Sequence, residues 1–153
     1  MIFSAAISSR HDPVGNILVW DLQKERQLFK VQAHQGFTRT ISWPFDEKIL
    51  VTTGQSDNCI KVWEIPSGKL LKTVRLDVEE VHDGGVSPTG KYFAGSGKKG
   101  TLTIWDLESE KRLRSYSGYP SYIWSIAWSA DEKLVYSGHH DGTIIAWQTN
   151  IRN

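Results

Sequence analysis

The sequence predicts an all-β chain in which one short unit recurs nearly four times. Three observations predict it: the punctuation of the apolar runs, the even spacing of four tryptophans, and the repetition of whole strand-and-turn segments around them. Aromatic and β-branched residues are plentiful. The apolar runs are short and broken every few residues by Gly, Pro, Asp or Ser, which is strand-and-turn punctuation rather than the 3.6-residue period of helices. Four of the seven tryptophans stand at 20, 63, 105 and 147, a recurrence of about 42 residues.

Around these anchors the segments NILVWDL, CIKVWEI, TLTIWDL and TIIAWQT align without a gap, and each reads as one strand. Three residues before each Trp stand Ile17, Ile60, Leu102 and Ile144, and one before stand Val19, Val62, Ile104 and Ala146. Because side chains alternate across a strand, these form one apolar face and the Trp projects from the other. Large apolar groups on both faces require cover on both, as in a sheet held between neighbouring sheets. EKILVTTG, GKYFAGSG and EKLVYSG supply the preceding strand, with turns at PFDEK, SPTGK and SADEK. QLFKVQ, KLLKTVR and RLRSYSG supply the following one, and Trp43, Val86 and Trp128 end the first strand of their units. Four short antiparallel strands joined by tight turns every 42 residues or so make a β-propeller blade.

The pattern resembles the WD-repeat family, whose unit opens on a Gly-His pair and closes its third strand on Trp-Asp. Trp20-Asp21 and Trp105-Asp106 match the closing pair, and Trp63-Glu64 and Trp147-Gln148 depart from it conservatively. Ala33-His34 nearly matches the opening pair, Gly118-Tyr119 keeps its Gly, and Arg75-Leu76 has neither residue. The resemblance implies an all-β propeller segment spanning 1–153, with approximate repeats 1–32, 33–75, 76–117 and 118–153. It also implies a structural hydrogen-bond network of a His, a Ser or Thr, an Asp and the Trp. His34, Thr53, Asp57 and Trp63 hold those places in the second unit; Ser137, Asp141 and Trp147 hold them in the fourth, with Tyr119 at the His position. Gly95 and Lys99 in the third unit, and Arg10 and Val14 in the first, cannot build it, so a buried Trp N–H there is expected to lack its acceptor at a cost of about 1–3 kcal/mol. The strands sum to fourteen, with three-stranded units at both ends. That count favours a fragment of a longer propeller over an unusual small closed ring or a ring assembled from copies, and the end faces of such a fragment would expose apolar surface, so that the isolated chain self-associates or is unstable.

Composition narrows the function classes. Lys and Arg number 18 against 17 Asp and Glu, for a net charge of +1, which disfavours a phosphate-tracking surface. A single cysteine, Cys59, fits a small buried hydrophobe and a reducing compartment, and the N-terminal MIFSAAISSRHDP lacks the apolar core of a secretory signal. An intracellular protein, cytoplasmic or nuclear, with no membrane attachment is the expectation.

Neither catalysis nor a cofactor is expected. Thr53 with His34 and Asp57, or Ser137 with His140 and Asp141, superficially suggests a nucleophilic triad, but the first hydroxyl is expected against its own Trp and His140 lies in a turn beside the second. His139-His140-Asp141, with His82, His11 and His34 elsewhere, reads as a solvated turn rather than a metal site. GSGKKG at 95–100 leads into a strand rather than a helix and reads as a hairpin turn, not a phosphate loop. Lys91, Lys98 and Lys99 read as a small basic patch serving solubility.

Surface recognition of other proteins or peptides remains, as the resemblance also implies, with a chromatin- or RNA-associated assembly role as the alternative. In some relatives an Arg two residues after the Trp-Asp pair docks an adaptor of ubiquitin ligases; Gln23 and Glu108 stand there instead. By position in the unit, Phe37, Arg39, Ser56, Tyr122, Trp124 and His140 are the candidate partner-binding residues. Trp124 leads them, because it is a large aromatic outside the periodic anchors.

Overall fold

The computed structural model describes residues 14–78 and 81–151. Among the described residues the apolar alternation produces thirteen strands in four antiparallel sheets that follow one another without closing a ring. The first sheet pairs β1 (Val14–Asp21) with β2 (Arg26–Gln35). The second runs in order β3 (Thr38–Ser42), β4 (Ile49–Gly54), β5 (Cys59–Glu64), β6 (Leu70–Arg75). The third contains β7 (Gly84–Val86), β8 (Tyr92–Ser96), β9 (Leu102–Asp106) and β10 (Arg112–Tyr116), and the fourth β11 (Ile123–Trp128), β12 (Leu134–His139) and β13 (Ile144–Gln148). The one strand of the sequence count not seen here falls in residues 1–13, outside the described residues.

Three cores lie between sheets rather than inside any of them. Ile17 and Val19 of β1 pack with Leu50 and Trp63; Val51, Ile60 and Val62 pack with Val86, Phe93 and Trp105; Tyr92, Ala94, Leu102 and Ile104 pack with Ile123, Val135 and Trp147. Each core thus joins the forward face of one sheet, bearing the residues three and one before the Trp and, in the second and third sheets, two second-strand residues as well, to the Trp-bearing back face of the next. The ladder register explains the recurrence: Trp63 pairs with Leu50, Trp105 with Phe93 and Trp147 with Val135, so the same two strands present the same faces each time. The outer strands β6 and β10 sit at sheet edges and are mostly exposed.

The tight turns need left-handed backbone. GSGKKG forms a 3-10 turn at Lys98–Gly100, with Lys99 at φ 56°, and Gly97 N–H donates to the Thr101 carbonyl at 2.8 Å. Cys59 is buried, and its thiol donates to the Asp57 carbonyl at 2.9 Å.

Leu102, fully buried between the third and fourth sheets, and Leu71, 48% exposed on β6, make a matched pair of strand leucines. Leu102→Ala is expected to cost about 2–5 kcal/mol in urea unfolding. Leu71→Ala is expected to stay within about 0.5 kcal/mol.

Candidate functional site

Each buried anchor indole must find an acceptor for its N–H, and the chain solves this in three ways. In the second sheet Trp63 Nε1 donates to Thr52 Oγ1 at 3.0 Å, Thr52 Oγ1 lies 2.7 Å from His34 Nε2, and His34 Nδ1 lies 2.9 Å from Asp57 Oδ2. The indole can only donate and the carboxylate can only accept, so His34 donates from Nδ1 to Asp57, and the Thr52 hydroxyl bridges the indole and His34 Nε2. A neutral His34, protonated on Nδ1, fits this chain. Burial, opposed by Asp57, lowers its pKa below the ordinary imidazole value.

The hydroxyl is Thr52, not the expected Thr53. In the second sheet eleven residues separate the hydroxyl from its Trp, whereas in the fourth Ser137 and Trp147 are ten apart; the longer β4–β5 turn shifts the count by one. In a strand one residue means the opposite face. Thr53 accordingly points into the forward face, where its hydroxyl meets Thr40 Oγ1 at 2.8 Å.

In the fourth sheet Trp147 Nε1 donates to Ser137 Oγ at 2.7 Å, and Ser137 Oγ lies 2.8 Å from His139 Nε2. His139 Nδ1 in turn donates to the Ser121 carbonyl at 3.1 Å. The imidazole thus comes from the same strand, two residues on and on the same face as the serine. His139 is buried, at 6% exposure, contrary to its reading as part of a solvated turn. Asp141 is not in that chain: its carboxylate accepts from Tyr119 Oη at 2.8 Å and from Thr143 N–H at 3.0 Å, and these donors lower its pKa, the backbone one most.

In the third sheet Trp105 Nε1 donates to Asp77 Oδ1 at 3.2 Å, so the expected orphan does not arise. A Cβ at Gly95 would sit 3.1 Å from Phe93, Trp105 and Val81 side-chain atoms, so a hydroxyl-bearing residue there would have to displace them, and the acceptor comes instead from the segment entering the sheet. In the first unit Arg10 lies outside the described residues, and Trp20 is 38% exposed rather than buried.

The partner-binding candidates separate into two groups. A pocket of about 610 Å³ is lined by Arg39, His82, Asp83, Tyr122, Ile123, Trp124 and His140. Phe37 and Ser56 are exposed near it in sequence but do not line it. The pocket opens where β3, β7 and β11, the first strands of three successive sheets, lie side by side. Arg39 and Trp124 occupy equivalent positions, each at a register shift, between Thr38 and Thr40 in one strand and between Ile123 and Ser125 in the other. Such bulges turn a side chain out of the alternation. Ile123 is therefore buried while Trp124, next to it, is 69% exposed with its ring centroid 5.8 Å from that of His140. His82 holds the same place before β7, four residues before Val86 as Arg39 is before Trp43.

Asp83 is the pocket's partly buried carboxyl. It accepts from Ile126 N–H at 2.8 Å, and burial raises its pKa above the ordinary value. The sequence had not marked Asp83, and had marked His82 only among dispersed histidines; their place beside Trp124 depends on which strands become neighbours. Lys91 precedes β8 and Lys98 and Lys99 follow it, so the three lysines stand at opposite ends of a strand and make no patch. Among the described residues no cluster of three metal-ligating side chains occurs, and no helix is long and apolar enough to cross a membrane.

The model of the WD domain, G-beta repeat family matches residues 25–64 and 110–148, just over half of the chain. The chain belongs to the WD40 family. It is 27% identical over 143 residues to the small ribosomal subunit protein RACK1y of Oryza sativa subsp. japonica, covering 88% of this chain and 41% of that protein. It is 29% identical over 121 residues to the WD repeat-containing protein SL1-17 of Schistosoma mansoni, covering 74% and 39%. With apoptotic protease-activating factor 1 of Rattus norvegicus it shares 28% identity over 144 residues, 94% of this chain and 11% of that one. The chain thus spans less than half the length of these relatives. WD40 membership supports a general role as a protein-interaction scaffold, typically non-catalytic.

Two outcomes test the polar chains. Thr52→Ala orphans the Trp63 N–H and should cost about 1–3 kcal/mol in urea unfolding, more than Thr53→Ala. His34 is held neutral in the folded state, with its pKa lowered from 6.5, so the unfolded chain takes up the proton first on acidification. Stability is then full above about pH 6.5 and falls as the pH drops below it. Chemical unfolding at about pH 7.5 and about pH 5.5 should show this loss in the wild type and a smaller one in His34→Gln.

Proposed function

We propose that this WD40 chain is a non-catalytic scaffold that holds a peptide segment of another protein over the pocket between β3, β7 and β11. Trp124 carries the reading. A large aromatic, 69% exposed and turned outward at a bulge, contributes little to the core, and it stands with Tyr122, itself 57% exposed, at the rim of a concave site. Such rigid amphipathic rings are the usual anchors of an interface, and a mostly apolar pocket with a few polar groups fits an apolar or aromatic side chain of the peptide. Arg39, Asp83 and the two imidazoles are placed to orient the peptide's polar groups. No comparable cluster supports a nucleic-acid-binding role, since the net charge is +1 and the lysines at the ends of β8 stand apart.

Peptides selected from a random displayed library against the intact chain provide the test. The selected peptides should bind Trp124→Ala at least about tenfold more weakly, a loss of about 1.4 kcal/mol, with the thermal melt of the variant unchanged. Peptides that bind the wild type and Trp124→Ala equally well would place recognition elsewhere.

A further inference from the structure

The pocket at Trp124 contains a carboxyl group that the repeat does not call for. Asp83 stands three residues before Val86, and the positions three residues before Trp43 and Trp128 hold Thr40 and Ser125. A hydroxyl residue serves that place in the neighbouring units, so the strand itself has no need of a carboxylate. The group is also held still. Asp83 N–H donates to Ser96 Oγ at 3.0 Å, its carbonyl accepts from Ser96 N–H at 2.8 Å, and its Oδ2 accepts from Ile126 N–H of β11 at 2.8 Å.

No cation of the protein compensates the charge of Asp83 among the described residues. What opposes the burial of that charge is two main-chain N–H groups, those of Ile126 and Gly84. Arg39 lines the same pocket without neutralising Asp83, and Arg39 and His82 have interactions of their own. A partly buried carboxylate with no ion pair costs free energy that a positively charged ligand group would recover. The exposed rings of Tyr122 and Trp124 stand on the same pocket. Aromatic faces attract cations and also cover the methylene stems of long basic side chains. An acidic side chain would meet Asp83 as a like charge.

We infer that the peptide segment held over this pocket carries a lysine or arginine, whose charged end meets Asp83 and whose stem runs past Tyr122 and Trp124. The inference rests on the pocket being the peptide site, and it adds a basic residue beside the apolar or aromatic one that Trp124 anchors.

The probes are peptides selected on the wild-type chain from a random displayed library and weakened by Trp124→Ala, with no selection for charge. They should be enriched in Lys and Arg over the unselected library. Replacing that residue by Gln should weaken binding to the wild type about tenfold. Asp83→Asn keeps an acceptor for the Ile126 N–H; it should weaken the parent peptide about tenfold and the Gln-bearing peptide less than about twofold. Raising NaCl from about 50 mM to about 500 mM should weaken the parent peptide much more than the Gln-bearing one. If Asp83→Asn does not melt cooperatively, the peptide substitution and the salt series on the wild type decide. Trp124-dependent peptides that lack a basic residue, are enriched in acidic ones, or lose nothing on replacement by Gln would overturn the cation and leave the pocket as the peptide site. A selection that yields no Trp124-dependent peptide would overturn both.

Discussion

Everything in this molecule depends on the fact that no sheet buries its own side chains. A three- or four-stranded sheet with Ile or Leu on one face and Trp on the other has two faces to remove from water and no core inside itself. Ile60 and Val62 are covered by Phe93 and Trp105, and Leu102 and Ile104 by Val135 and Trp147. Stability belongs to these pairs of faces, so the period of the sequence and the period of the packing are the same.

The anchor Trp adds a polar obligation to that apolar role. Buried between sheets, its N–H must be accepted, and three arrangements meet the need: Thr52 backed by His34 and Asp57, Ser137 backed by His139 and a main-chain carbonyl, and Asp77 ion-paired with Arg112. What persists is the acceptor within reach of the indole, while the residue that supplies it changes with the local backbone. Two of the arrangements run from the indole through a hydroxyl to an imidazole. Ser, Thr, His and Asp thus gather for structural reasons that superficially resemble a catalytic set.

Much of this was legible in the sequence. The spacing of Trp20, Trp63, Trp105 and Trp147 marked the units, and alternation marked Ile60 and Leu102 as one face and Trp as the other, because both signals are local. The misplacement of the Trp63 partner by one residue came from counting back through a turn whose length varies between units, and one residue inverts a strand's face. His139 and Asp77 were missed for a related reason: each replaces an expected residue from a different position in the chain. Arg39, Tyr122, Trp124 and His140 were marked by their places in the repeat, but the bulges at Arg39 and Trp124 arise from strand register, and the adjacency of Asp83 from the contact of strands across units, neither of which spacing reveals.

The pocket and the stacked faces are two consequences of the same arrangement. Placing the first strands of successive sheets side by side joins the equivalent positions 39, 82 and 124 into one concavity, and covering forward faces holds those strands rigid. Amide hydrogen–deuterium exchange resolved by residue, at a dilution where the chain is monomeric, tests that dependence most directly. If cover by the next sheet is what stabilises a unit, the amides of β8 and β9, buried on both faces, exchange slowest, and those amides of the edge strand β13 that are bonded in its ladder to β12, open on their forward face, exchange much faster. Equal protection of β13 and β9 would mean that each sheet is stable by itself, which contradicts the account.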